Sequence, residues 1–302
     1  MFWRPDGLNE KKTAGVTSRF LLAMTWGCYS GRIGNSHMRL LWTSDIHLNH
    51  VDFPTWDQWL LALCEAEADG LLITGDISES NDVYFQLRRL ADAFAKPIYF
   101  VLGNHDFYGS SIARTRQQAS ALARELPELC YLTDSAPIAI SDSVYLLGED
   151  GWGDGTRGDY QGSPVRMQDF EQISDFHQVD RDLWQGLIQQ QGQQSAARVR
   201  AKLSSVPDSA QTIYVATHVP PFCEACWYQG RTTDENWAPF FVCGQVGDAL
   251  LDYAAEHPHI KLVVLCGHTH YRGTAEMLPN LVVHTAAAEY AQPEIESSLE
   301  IH

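Results

Sequence analysis

The sequence predicts an α/β protein assembled from βαβ units, on three observations. From Met38 onward, short apolar segments alternate with longer segments of helical spacing. The alternation repeats in succession, which is the pattern of parallel strands joined by helices. The first three apolar segments each end in a polar residue: Asp45, Asp76 and Asn104. Ligands gather at the carboxyl ends of strands in such sheets, so these three residues are expected at one edge.

The elements follow in order. "RLLWTSD" (39–45) reads as a strand, and "WDQWLLALCEAEA" (56–68) as a helix with Trp56, Trp59, Leu60 and Leu63 on one face. "GLLITGD" (70–76) is the next strand. "DVYFQLRRLADAF" (82–94) is a helix that ends before Pro97. "IYFVLGN" (98–104) is a third strand, and "SIARTRQQASALAREL" (111–126) a helix stopped near Pro127. Shorter strands are expected at 138–140 and 144–149, followed by the Gly- and Asp-rich loop "DGWGDGTRGDYQG". Residues 168–204 read as helical, with "QQQGQQ" as a break or exposed turn. "TIYVATH" (212–218), "IKLVVLCGHTH" (260–270) and "LVVHTA" (281–286) complete the strands.

The first 37 residues lack this periodicity, and their apolar patch "FLLAM" is too short for a signal-peptide core. They are expected to be a tail, and the folded domain to span 38–302, with insertions near 150–210 and 220–244. The chain has 302 residues, enough for a large core, and no apolar run reaches membrane-spanning length. Acidic residues number 38 against 21 basic ones, a formal charge of −17. Such a surface repels nucleic acid and anionic lipid, and favours a small substrate drawn to a local positive pocket. The seven cysteines are odd in number and spread along the chain, which argues against a disulfide scaffold. A cytoplasmic location is expected. Cys223, Cys226 and Cys243 could hold zinc or form a redox pair, but three thiolates lack a fourth ligand and C-x-x-C spacing alone is weak.

The strand ends carry the chemistry. "VLGNHDFYG" places Asn104, His105 and Asp106 directly after an apolar strand. Polar groups there lose water, which is costly unless something replaces it. Equivalent places hold Asp45 and His47 in "SDIH", Asp76 in "TGD", His218 in "ATHVP", and His268 and His270 in "GHTH". One such histidine is ordinary packing; this many titratable groups call for a cation. Imidazole and carboxylate suit Mn, Fe, Zn, Co or Ni. In D-x-H and H-x-H, alternate residues of an extended segment would point the same way. Seven ligands exceed what one tetrahedral ion takes and fit two ions sharing a carboxylate.

These blocks, "DIH", "GD", "GNHD", "H" and "GHTH" in this order from 45 to 270, resemble the calcineurin-like metallophosphoesterase family. The resemblance implies a four-layer α/β/β/α sandwich of two mixed β-sheets flanked by helices. It implies that Asp45, His47, Asp76 and His270 hold one divalent ion. Asp76, Asn104, His218 and His268 would hold a second, with Asp76 as the bridge. His105 would be the catalytic histidine and Asp106 would orient it. Two such ions would generate hydroxide from a shared water near neutral pH, for in-line attack on phosphorus. His105 would stabilise the developing charge or protonate the leaving oxygen. The substrate would be a small phosphodiester or phosphomonoester, nucleotides included. A nuclease of the same family is the alternative, disfavoured by the acidic balance. A non-catalytic scaffold on this fold should lack ligands or His105, and this chain has all of them.

Substrate contacts are less marked. His50 could touch substrate or lie on the surface, and Arg157 could clamp phosphate from a lid formed by the Gly-rich loop. Trp227, Tyr228 and Trp237 in the 220–244 segment could stack on a ring or form a small private core. His284 reads as structural.

Overall fold

The computed structural model describes residues 37–302. The expectation of an N-terminal tail therefore lies outside the described residues, His37 excepted. Along the chain the strands are β1 (Met38–Thr43), β2 (Gly70–Thr74), β3 (Ile98–Val101), β4 (Leu129–Tyr131), β5 (Ile138–Ala139), β6 (Val144–Glu149), β7 (Thr212–Thr217), β8 (Trp227–Tyr228), β9 (Arg231–Thr232), β10 (Lys261–Cys266), β11 (Gly273–Leu278), β12 (Leu281–Thr285) and β13 (Ser297–Ile301). The helices are α1 (Phe53–Glu65), α2 (Asp82–Phe94), α3 (Ile112–Glu125), α4 (Asp169–Gln172), α5 (Ser174–His177), α6 (Trp184–Leu203), α7 (Ala238–Phe241) and α8 (Gly244–Glu256).

Two mixed sheets result. The first has the order β13-β1-β2-β3-β4, with β1 to β4 parallel and β13 antiparallel at the edge. The second has the order β11-β12-β10-β7-β6-β5, with parallel inner strands and antiparallel β11 and β5 outside. Side-chain alternation along each strand fixes the layers. Leu40, Trp42, Leu72, Tyr99 and Val101 of the first sheet meet Val144, Leu146, Ala216, Val263 and Leu265 of the second. The opposite residues, Leu41, Leu71, Ile73 and Phe100, pack under α1, α2 and α3. Ile213, Val215, Leu262 and Val264 pack under α6 and α8. The fold is thus the four-layer α/β/β/α sandwich.

Two local expectations change. The "QQQGQQ" run does not break the helix: α6 runs straight through it. Ile188, Gly192, Ser195, Ala196 and Val199 recur at helical spacing and are buried together, so Gly192 belongs to the packed face. The edge strands β11 and β13 and the helix α8 were not foreseen. β13 is mostly half-exposed, so it shows no apolar stripe; its backbone pairing with β1 holds it. Among the described residues, no helix is long and apolar enough to cross a membrane.

Candidate metal centre

The carboxyl ends of the central strands converge, as the polar strand ends required. Two loops leave β1 and β2 side by side: Asp45 N–H donates to Gly75 O, and His47 N–H donates to Asp76 O, each at 3.0 Å. Among the described residues, the non-glycine positions with positive φ include Asp45, His47, Asp76, His268 and His270, at 51°, 38°, 51°, 71° and 61°. The D-x-H and H-x-H segments are therefore not extended, which corrects the reading that alternation would aim their side chains alike. Left-handed backbone at five expected ligands is strain that the surrounding loops must hold. Each carboxylate takes an amide from another loop. Asp45 Oδ1 accepts from His268 N–H at 3.0 Å, and Asp76 Oδ1 from His105 N–H at 2.9 Å. Two glycines permit this closeness: a Cβ on Gly75, at φ +92°, would sit 2.6 Å from His218 Nδ1, and one on Gly103 would collide with Asp76 Oδ1.

Ligand atoms of Asp45, His47, Asp76 and His270 all lie within 4.8 Å of one another. His47 Nε2 is 3.2 Å from His270 Nε2 and 3.6 Å from Asp76 Oδ2. Burial alone would raise Asp45, but the His270 hydrogen bond and nearby imidazoles hold it below the ordinary carboxylate range. Burial pushes His47 down to about 4 and His268 to about 3, so both rings are neutral and free to act as ligands near pH 7.

Beside this cluster, His218 Nδ1 lies 2.9 Å from Thr74 O. A ring nitrogen that close to a carbonyl carries the proton, which leaves Nε2 as the nitrogen that can act as a ligand. That Nε2 faces two further acceptors, Asn104 Oδ1 at 3.2 Å and Asp76 Oδ1 at 3.5 Å. Three acceptors aimed at one point repel each other unless a cation lies among them. The His268 ring lies 5.0 Å from that of His218, and His268 Nε2 lies 3.4 Å from Phe240 O. The two histidines of "GHTH" thus serve different neighbourhoods: His270 joins Asp45 and His47, and His268 joins His218. The donor set fits divalent cations.

His105 sits next to this group, its ring 4.7 Å from that of His47. Its Nδ1 lies 3.3 Å from Glu79 Oε1. The expectation that Asp106 orients His105 is corrected by the hydrogen bonds. Asp106 Oδ1 accepts from Ile77 and Ser78 N–H at 2.9 Å each, and Oδ2 from Gly103 N–H at 2.8 Å. Asp106 holds the "GD" and "GNHD" loops together from beneath, and Glu79 stands beside the histidine.

The expected substrate contacts scatter. Arg157 is held by Asp248 at 2.5 Å and Gly244 O at 3.3 Å, both on α8. Trp227 packs against Gly273, where a Cβ would collide with its indole. Tyr228 meets Tyr271 edge-on at 4.8 Å, and Trp237 meets Phe241 at 5.5 Å. Cys226, Ala238 and Val242 form a small buried cluster with Cys223 beside it, so the 220–244 segment does have a private core. His50 is exposed, 6.2 Å from the His47 ring. His284 Nδ1 pairs with Thr274 Oγ1 at 3.0 Å across β11 and β12, a structural place. Three residues at the site escaped sequence reasoning. Glu79 could have been found as an acid three residues beyond Asp76. Asp169 and Tyr290 lie in segments with no motif, and only the fold brings them in.

The model of the family described as calcineurin-like phosphoesterase matches residues 38–272, most of the chain. The chain belongs to the calcineurin-like phosphoesterase family. It is a metal-dependent phosphoric ester hydrolase. No curated protein matches its sequence. Among solved structures it is similar to the phosphopantetheinyl hydrolase from Mycobacterium tuberculosis, with a TM-score of 0.64 at 16% identity, over 85% of this chain and 91% of that one. It is also similar to a dimetal phosphatase from Danio rerio, with a TM-score of 0.53 at 14% identity, over 87% and 98% of the two chains. At these identities the likeness concerns the fold of this calcineurin-like phosphoesterase and leaves its substrate open.

Proposed function

We propose that this phosphoesterase hydrolyses small phosphodiesters or phosphomonoesters at a pair of divalent cations bridged by Asp76. The observation that carries the reading is the approach of His218 Nε2 to Asp76 Oδ1 and Asn104 Oδ1, while the other Asp76 oxygen, Oδ2, faces His47. One carboxylate thereby borders two neighbouring cation sites. Asp45, His47, Asp76 and His270 would hold one ion, and Asp76, Asn104, His218 and His268 the other. The ions, when bound, supply an activated water and neutralise phosphoryl charge. The residues of the chain do the rest. The left-handed loops hold the ligand atoms before any ion arrives, so binding requires little reordering. His105 projects beside the cluster, braced by Glu79, and can pass a proton from Nε2 to the leaving oxygen or stabilise charge there.

The substrate class follows from charge. A chain of −17 offers nucleic acid no basic track, so small phosphoesters, including nucleotides and phosphopantetheine-type diesters, are favoured over polynucleotides. A cytoplasmic location remains part of this proposal. The test is metal content and hydrolysis of bis-nitrophenyl phosphate and nitrophenyl phosphate after loading with Mn²⁺. Two ions per chain and turnover that chelation abolishes support the reading. A chain that binds both ions but hydrolyses neither ester would point to the scaffold instead.

A further inference from the structure

We propose that Asp169, supplied by the long insertion between β6 and β7, is a positioning residue that selects the cation-competent orientation of the Asn104 amide. This rests on the two-site reading above. Asp169 is buried, and its Oδ1 accepts from Asn104 Nδ2 at 2.9 Å and from the Tyr108 hydroxyl at 2.8 Å. A carboxylate oxygen draws the NH₂ side of a planar amide to itself. The carbonyl side must then face the opposite way, and Asn104 Oδ1 does so, 3.2 Å from His218 Nε2.

The alternative orientation shows why this matters. An amide turned over would aim its NH₂ at the His218 Nε2 lone pair. That pair would form an ordinary hydrogen bond, and the site would be satisfied without any ion. The orientation that binds a cation is the one in which acceptors face each other, which an empty site disfavours. Asp169 holds Asn104 in that orientation beforehand.

Its own position is fixed by the loop it serves. Gly109 N–H donates to Gln172 O at 2.9 Å, Ser174 N–H to Ser110 O at 2.9 Å, and Ile112 N–H to Asp175 Oδ2 at 2.9 Å. Phe170, next in sequence, stacks on Trp184 with ring centroids 4.3 Å apart and planes 7° from parallel. The insertion is stitched to residues 109–112, directly after "GNHD". It is therefore part of the metal centre's support.

Metal titration of the chelator-stripped full-length protein with Mn²⁺ tests this, with circular dichroism as the check on folding. Wild type should take two ions. Asp169→Leu should bind the first normally and the second about 10- to 100-fold more weakly, as losses of outer hydrogen-bond partners do. Asp169→Asn keeps an acceptor for the amide and should hold both ions within a few-fold. Tyr108→Phe leaves the Asn104–Asp169 bond intact and should also take two. The decisive variant is Asn104→Asp with Asp169→Leu, since a carboxylate at 104 offers oxygen in either orientation. It should regain the second ion, which a merely structural role of Asp169 does not allow. Asp169→Ala serves the same comparison if leucine is not accommodated. Two ions of wild-type affinity in folded Asp169→Leu would overturn the proposal. Wild type that takes fewer than two ions would instead overturn the two-site reading on which it rests.

Discussion

His105 Nδ1 lies 3.3 Å from Glu79 Oε1, while the nearby Asp106 carboxylate is spent on three backbone amides. The pair predicts a division of labour. His105→Ala should keep metal and fold yet lose turnover by about 10²–10⁴. Glu79→Gln should lose less, and the double variant should be no worse than His105→Ala, because residues acting as a unit are not additive. A good leaving group such as nitrophenolate should shrink the His105 effect relative to an alkoxide. Equal losses on both would assign His105 to charge stabilisation rather than proton donation.

Asp76 is the shared point of the ligand groups, within reach of His47 at 3.6 Å and His218 at 3.5 Å. Asp76→Asn should weaken binding of both ions and abolish activity. Cys223→Ser, in the small cluster with Cys226, should leave hydrolysis unchanged. Activity lost from the Cys223 variant, with metal retained, would reveal a role for that cluster that its packing does not show.

Acid should destabilise the metal-free protein, and the sign can be worked out. His47 and His268 are depressed from 6.5 to about 4 and about 3 in the fold by burial. Below pH 6.5 the unfolded chain therefore binds protons that the folded one refuses. Stability falls as pH drops from about 6.5 towards those values, by on the order of 1 kcal/mol per pH unit per group. Asp45 adds to the loss at the acid end, since its folded value lies below 3.8. His270 is raised by its Asp45 contact against the effect of burial, so its contribution is full below 6.5 and fades at higher pH. Thermal melts of stripped protein between pH 7 and 4 should show Tm falling. Asp106 and Asp169, raised by burial, oppose this fall, so a flat profile would mean that they and His270 offset the two rings or that the rings are not held neutral.

Lys202 gives a stability prediction away from the chemistry. Its buried ammonium donates to Leu132 O at 2.6 Å, Thr133 O at 2.9 Å and Gly148 O at 2.6 Å. It ties α6 to β6 and to the turn that follows β4. Lys202→Met keeps the stem but removes all three hydrogen bonds, at about 2–4 kcal/mol. Denaturant melts should register that loss while the metal content stays normal.

The central fold was legible because it is repetitive. β1, α2 and β3 are apolar or amphipathic over their whole length, and local pattern suffices for them. β13 is an edge strand fixed by a partner far along the chain, and β11 is the outer strand of a hairpin with β12 in which only Ala275 is buried, so no apolar pattern marks either. The candidate ligands stood out for a related reason: Asp45, Asp76 and Asn104 each follow an apolar strand, where a polar residue is unusual. Asp106 was misassigned because adjacency to His105 suggested contact, whereas the short turn at 105–107 sends the two side chains apart. Glu79, Asp169 and Tyr290 reach the site through turns whose direction depends on tertiary contacts, and spacing cannot supply that.

Tyr290 carries the last prediction. It is half-exposed, and its ring lies 4.4 Å from His47, 5.1 Å from His270 and 5.2 Å from His50. It stands at the tip of a turn closed by the Glu289–Gln292 bridge, with Ala291 at φ 64°. The base of that loop is anchored: Ala286 N–H donates to Cys266 O at 2.8 Å, and Ala288 N–H to His270 O at 3.2 Å. An aromatic ring beside the candidate ligand cluster is a wall against which a planar substrate group can rest. Such contacts are worth about 0.5–1.5 kcal/mol, a factor of roughly 2–12 in binding. Tyr290→Ala should therefore raise KM for aryl phosphoesters by that factor and change KM for small alkyl phosphoesters little. kcat for both, and metal content, should stay close to wild type. A fall in kcat with KM unchanged would place Tyr290 in the reaction step itself, through its hydroxyl, and Tyr290→Phe would then reproduce the loss.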